Sequence, residues 1–232
     1  MGETRRRFHD ELDALVGEIL AMGELAERSI GRAVEALVTN DAAEDEAVIQ
    51  GDDEIDSQYV SIEQRILALL ALQTPVASDL RLITSMLHVN LHLERIGDMA
   101  VNIAKTSRSI KDLPSSGIIL AHIQEMSDVV RPMIRTAMEA FAKRDLNLCL
   151  RLPEMDDPVD RLNIGMYQEV AALAGDPAKL DWGLRMILIA RQLERVGDHA
   201  VDIGEQIGFL LTGEFREFTD ASHPVNLPPH GA

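Results

Sequence analysis

From Phe8 onward, Leu12, Leu15, Val16, Ile19, Leu25, Ile30, Ala33, Val34 and Leu37 recur at steps of three and four, the period of a helix that buries one stripe. The pattern predicts a long first helix ending near Val38. A second is expected from about Ala42 to Leu72, stopping before Thr74-Pro75 because the residue preceding a proline avoids the helical region and proline has no amide hydrogen to donate. A third spans roughly Val76 to Ile110. The run Asp112-Leu113-Pro114-Ser115-Ser116-Gly117 concentrates breakers and capping residues and is the expected link between two halves. Three more helices follow, at about Gly117 to Lys143, Asp145 to Ala174 and Pro177 to Leu211, with Gly175-Asp176-Pro177 turning between the last two. Pro153 and Pro158 predict a kink or restart in the fifth, with Asp157 as N-cap and Pro158 at the first helical position. Long helices on short connections favour antiparallel neighbours. The expected fold is therefore all-α, two tandem and similar three-helix bundles over residues 1–112 and 113–218, with a proline-containing, apolar-poor tail at 219–232 expected to be disordered.

Composition agrees with helices: Ala, Leu, Ile, Met, Glu and Arg are plentiful and only 3% of residues are aromatic. Charge narrows the partners, since 22 basic against 39 acidic residues give a net charge of −17, which repels nucleic acid and anionic membrane surfaces. The longest apolar run, Ile66 to Leu72, is far shorter than the ~20 residues a bilayer span needs, so any membrane contact is expected to be peripheral and made through partners. Cys149 is the single cysteine, which excludes an intrachain disulfide and a thiol-rich zinc site. With no apolar segment after the arginines near the start, a cytoplasmic setting is expected.

An internal repeat changes the picture most. Leu93-Glu94-Arg95-Ile96-Gly97-Asp98-Met99-Ala100-Val101-Asn102-Ile103 returns one hundred residues later as Leu193-Glu194-Arg195-Val196-Gly197-Asp198-His199-Ala200-Val201-Asp202-Ile203, with eight of eleven positions identical. Upstream, Asp52-Asp53-Glu54-Ile55-Asp56 is echoed by Asp156-Asp157-Pro158-Val159-Asp160. A step of four keeps each acidic pair on one helical stripe, so Asp52 with Asp56 can face Glu94 with Asp98, and Asp156 with Asp160 can face Glu194 with Asp198. Asn102 and Asp202 extend the stripe by a turn. Facing carboxylates ~5–6 Å apart repel by about 3 kcal/mol each at an effective dielectric near 20, so a cation is expected among them. Arg95 and Arg195 sit one position from the glutamates and are expected to point about 100° away. All-oxygen ligands favour hard ions, with magnesium, calcium, manganese or iron as candidates and a multinuclear cluster conceivable. Gly97 and Gly197, costly inside helices, predict a close backbone or ligand approach at both places. His88 and His92 are read as residues of the bundle boundary or surface, His199 has Met99 as its counterpart and so no symmetric role, the ten methionines as core filler, and Cys149 as a buried small residue.

These motifs, together with Pro75-Val76-Ala77-Ser78-Asp79-Leu80-Arg81-Leu82, resemble the signature of the PhoU family of phosphate-response regulators over nearly the whole chain. The resemblance maps the family's metal motifs onto Asp52 with Asp56, Glu94 with Asp98, Asp156 with Asp160, and Glu194 with Asp198, and implies multinuclear iron or zinc. The second half departs from the pattern at Pro158, at Asp202 in place of the usual asparagine, and in lacking a Pro-x-Ala-Ser-Asp-Leu-Arg stretch. The resemblance further implies a non-enzymatic, often dimeric accessory of phosphate uptake that contacts the transporter ATPase subunit and a sensor histidine kinase. Two rivals predict differently. A ferritin-like metalloenzyme needs Glu-x-x-His on its helices, which occurs nowhere in the chain; a metal-free structural adaptor predicts that its acidic stripes are plain surface.

Overall fold

A computed structural model describes residues 3–218, with side chains from Arg5 onward; the tail expected to be disordered lies outside the described residues. Six helices follow in order: α1 (Glu3–Thr39), α2 (Ala42–Gln73), α3 (Ala77–Ser109), α4 (Gly117–Lys143), α5 (Leu146–Ala171) and α6 (Pro177–Thr212). No strand occurs among the described residues.

Local chemistry sets the helix ends. Asn40 takes a left-handed φ of 58° and Asp41 then caps α2, accepting from the Ala43 and Glu44 amides. Arg144 and Asp145 repeat that arrangement between α4 and α5, with Asp145 accepting from the Asn147 amide. Asp176 caps α6 through the Ala178 and Lys179 amides, with Pro177 at the first helical position. Of the kink or restart expected at Pro158, the restart does not occur: Asp157 is not an N-cap, and α5 runs as one helix through Pro153 and Pro158. Each proline removes one rung of the hydrogen-bond ladder. Burial of Cys149, Leu152, Val159, Met166 and Val170 along α5, against α4 and α6, offsets that loss.

Helices α1, α2 and α3 pack together, as do α4, α5 and α6; α1 also lies on α4, and α3 on α6. Thus α1, α3, α6 and α4 form a ring of neighbours, with α2 flanking α1 and α3 and with α5 flanking α4 and α6. The buried apolar residues form one continuous cluster through both sets, including Met22, Met86, Met126, Met133 and Met186 as filler. Polar ties cross the same seam: buried Glu27 of α1 receives Arg131 and Arg135 of α4, and Ser85 Oγ of α3 donates to the Gln206 carbonyl of α6 at 3.1 Å.

At one end of the first set, Asp45, 0% exposed, is held by Lys111 Nζ at 2.8 Å and by the Ser107 hydroxyl at 3.1 Å. Lys111 also donates to the Ala36 carbonyl of α1 at 3.0 Å, so one ammonium joins three helices.

After α6, Gly213 adopts a left-handed φ of 77° and turns the chain back, and the Phe218 amide donates to Glu205 Oε1 at 2.6 Å. Burial, and secondarily the neighbouring Asp202 and Glu217, push the Glu205 carboxyl up to about 7, against a partial opposing effect of the Phe218 hydrogen bond. A carboxyl raised in the folded state favours folding while it is protonated, and that advantage disappears as pH rises from the unfolded value of 4.5 to about 7. Glu205→Gln is therefore expected to raise stability at pH 8 by up to about 3 kcal/mol and to leave it unchanged at pH 4, as read from urea denaturation at the two pH values. Equal effects at both would contradict this account.

Candidate metal centre

The repeat-bearing helices α3 and α6 lie against each other, and each meets a flanking helix, α2 or α5, that carries the second acidic motif. Glycine permits that approach. A Cβ built on Gly97 would stand 3.1 Å from Asp52 Oδ1, and one built on Gly197 would stand 2.1 Å from Asp156 Oδ1. In both halves the first aspartate of the flanking acidic motif therefore lies over the glycine of the repeat, the close approach that the mid-helix glycines predicted.

In the first half the four carboxylates share one electrostatic field. Burial first, and then Asp56, Asp98 and Glu94, push Asp52 up to about 6, only partly opposed by Lys105. Glu94 is also raised, first by burial and then by Asp98, with Arg95 opposing. In the second half burial raises Asp198, followed by Asp160, with Arg191 opposing and Asp202 adding to the rise. Asp156 and Glu194 are buried.

Arginine side chains reach further than helical spacing suggested. Arg95, expected to point away, folds back to pair with Asp98 Oδ2 at 3.2 Å and Glu94 Oε2 at 3.4 Å. Helix phase fixes the Cα–Cβ direction, but a half-exposed arginine stem spans the difference. Arg191, unremarked in the sequence, pairs with Glu194 Oε1, while no protein group hydrogen-bonds to the buried Glu194 Oε2. Arginine thus offsets part of the negative charge.

The donor set suits a hard cation: converging carboxylates, with buried Glu94 Oε2 and Glu194 Oε2 lacking a hydrogen bond, and a glycine beside each flanking aspartate. In this geometry, however, the carboxylate motifs are neighbours without drawing three ligand atoms together. Among the described residues, the set whose ligand atoms all lie within 4.8 Å of one another is His92, His199 and Asp202. His92 does occupy the boundary between the two sets of helices, and there it meets His199, with an Nδ1 to Nδ1 distance of 3.0 Å. Asp202 Oδ2 lies 3.6 Å from the first ring and 3.5 Å from the second. From the sequence His92 could join a site but reads first as a boundary residue, and His199 has no symmetric role. The one local signal was the three-residue step from His199 to Asp202; the rest depends on α3 lying against α6. His88 stays outside the trio. Cys149 is buried, and burial pushes its thiol up to about 11, which makes it a poor nucleophile.

Comparison with known proteins agrees with the six-helix fold. The family described as PhoU domain matches residues 19–107 and 123–207, the first segment within α1–α3 and the second within α4–α6. A protein of Caulobacter vibrioides named phosphate-specific transport system accessory protein PhoU homolog is 31% identical over 212 residues, covering 91% of this chain and 92% of that protein. A homolog of the same name from Pseudomonas putida is 34% identical over 219 residues, covering 94% of this chain and 84% of that protein. The crystal structure of PhoU from Pseudomonas aeruginosa superposes with a TM-score of 0.85 at 33% identity, covering 89% of this chain and all of that one.

Proposed function

Because this chain belongs to the PhoU family, we propose that it is an accessory regulator of phosphate transport, one that damps phosphate uptake and holds the phosphate-starvation response off when phosphate is plentiful. The observation that carries this reading is the paired Glu-Arg-x-Gly-Asp repeat on α3 and α6, set in a chain that matches relatives named as phosphate-transport accessory proteins over nearly its full length. Within that role it is an adaptor and not an enzyme, a cytoplasmic homodimer that contacts the phosphate transporter ATPase subunit and a sensor histidine kinase. No described helix is long and apolar enough to cross a membrane, so its effect on a membrane system would pass through such partners.

Metal ions belong to the proposal. Asp52, Asp56, Glu94 and Asp98 would hold them in the first half, and Asp156, Asp160, Glu194 and Asp198, with Asp202, in the second. Iron, zinc, manganese or magnesium would neutralise the carboxylates and tie each flanking helix to its repeat helix. The chain's own part is to keep acidic oxygens close at the two glycines and to balance them with Arg95 and Arg191.

Deletion of the gene in its own host, with a starvation-responsive reporter followed in phosphate-rich medium, tests the role. The reporter is expected to switch on and to be silenced again by the wild-type chain. Glu94→Ala/Asp98→Ala and Glu194→Ala/Asp198→Ala chains are expected to leave it on, and each to lose the ions of its own half when purified protein is measured by inductively coupled plasma mass spectrometry. A reporter that stays silent in the deletion strain would overturn the regulatory role. Variants that lose metal yet silence the reporter would remove metal from it.

A further inference from the structure

The geometry points to a second kind of metal site, a mononuclear centre of the zinc class formed by His92 of α3 with His199 and Asp202 of α6. It shares Asp202 with the acidic stripe of the second half, takes its other two ligands from outside the carboxylate motifs, and clamps the two halves together. Its ligands and geometry are independent of the phosphate-regulator role.

Shape comes first. At metal–ligand bonds of about 2.0–2.1 Å, two ligands of a tetrahedral ion lie about 3.3 Å apart, whereas two adjacent ligands of an octahedral ion lie about 3.0 Å apart. The three edges here are 3.0, 3.5 and 3.6 Å. They scatter around the tetrahedral value, and two of the three are too long for an octahedral face. Two imidazoles with one carboxylate form a ligand set that zinc and its neighbours accept and that magnesium and calcium, which prefer all-oxygen shells, do not. The Asp202 side chain is 45% exposed, which leaves the site open for entry and for a water as fourth ligand.

Two Nδ1 atoms 3.0 Å apart hydrogen-bond through one hydrogen held between them, one ring donating and the other accepting. On binding, that hydrogen moves to Nε2 of its own ring, and both Nδ1 lone pairs face the ion.

The internal repeat supplies an independent argument. The eleven-residue copies differ at three positions: Ile96 against Val196, Met99 against His199, and Asn102 against Asp202. Leaving aside the conservative first, both remaining differences are residues of this trio, and the counterpart of His92 is Gln192. The copies have diverged where ligands are needed, and only on one side.

Full-length protein stripped of metal and titrated with zinc sulfate tests this, with ring nitrogens followed by long-range proton–nitrogen-15 correlation. The chain has seven histidines, and the carboxylate motifs contribute no ring signal. Two rings are expected to shift at Nδ1 with the first equivalent of zinc bound to the trio; the signal of one disappears in His92→Gln and that of the other in His199→Gln. Asp202→Asn is expected to weaken the ring-monitored binding more than tenfold, while Asp52→Asn/Asp56→Asn leaves it unchanged. Circular dichroism confirms that each variant is folded. Zinc that binds without moving these two rings, or ring shifts that depend on Asp52 and Asp56 and not on Asp202, would overturn the assignment, as would rings that never respond; none of those results would touch the regulatory role.

Discussion

Lys111→Met is expected to destabilise the chain by about 3–5 kcal/mol, read as an earlier midpoint in urea at unchanged slope. The cause is the isolation of Asp45. This carboxylate is fully buried, and its Oδ2 is held by the Lys111 ammonium at 2.8 Å and the Ser107 hydroxyl at 3.1 Å, while no protein group hydrogen-bonds to its Oδ1. Methionine keeps much of the apolar stem but leaves one hydroxyl to support a charge far from water. It also removes the donor at the Ala36 carbonyl near the C-terminal end of α1, where a cation complements the helix dipole. The control is Asp45→Leu/Lys111→Met. Removing both charges together is expected to return most of the lost stability, because an apolar pair of similar volume needs no desolvation. A Lys111→Met chain as stable as wild type would mean that this ion pair does not hold α1, α2 and α3 together.

Gly197→Ala is the second large effect. Alanine in a helix interior ordinarily gains about 1 kcal/mol over glycine. At this position the added methyl would lie 2.1 Å from Asp156 Oδ1, well inside contact distance, and Asp156 is only 1% exposed, with little room to withdraw. A net loss of about 2 kcal/mol is expected once overpacking is set against the propensity gain. Metal measured by mass spectrometry is expected to fall in the second half as α5 is pushed from α6. Gly97→Ala is the internal comparison. Its methyl would meet Asp52 Oδ1 and Ile55 Cδ1 at 3.1 Å, and the partly exposed Asp52 can turn aside, so a change within about 1 kcal/mol is expected. Equal effects at the two glycines would contradict the difference in closeness.

The parts of this molecule that could be read from its sequence are those set by neighbours along the chain. Three- and four-residue spacing marked all six helices, and the starts expected near Ala42, Asp145 and Pro177 fall beside the caps Asp41, Asp145 and Asp176. The costly glycines at 97 and 197 pointed to close approach, and carboxylates lie there. The parts that could not be read depend on packing. Pro158 looked like a break because its missing donor is a local fact, whereas the burial that carries α5 through it is not. Arg95 was assigned away from the acids because helix phase describes the backbone, not the reach of a guanidinium. His92 and His199 stand 107 residues apart in the chain, and only the packing of α3 on α6 makes them a pair.

That packing also bears on where symmetry ends. In the seam between the halves, α1 meets α4 and α3 meets α6, so the first and third helices of each half touch their own repeat counterparts. This is the pattern of a two-fold dimer, in which position i on one subunit touches j on the other and j touches i, here tethered into a single polypeptide by residues 110–116. Two separate but identical subunits would have to place a histidine opposite a histidine twice or not at all. Once joined, the equivalent sites are free to diverge, and one crossing can carry His92 with His199 while its mirror position keeps Met99 and Gln192.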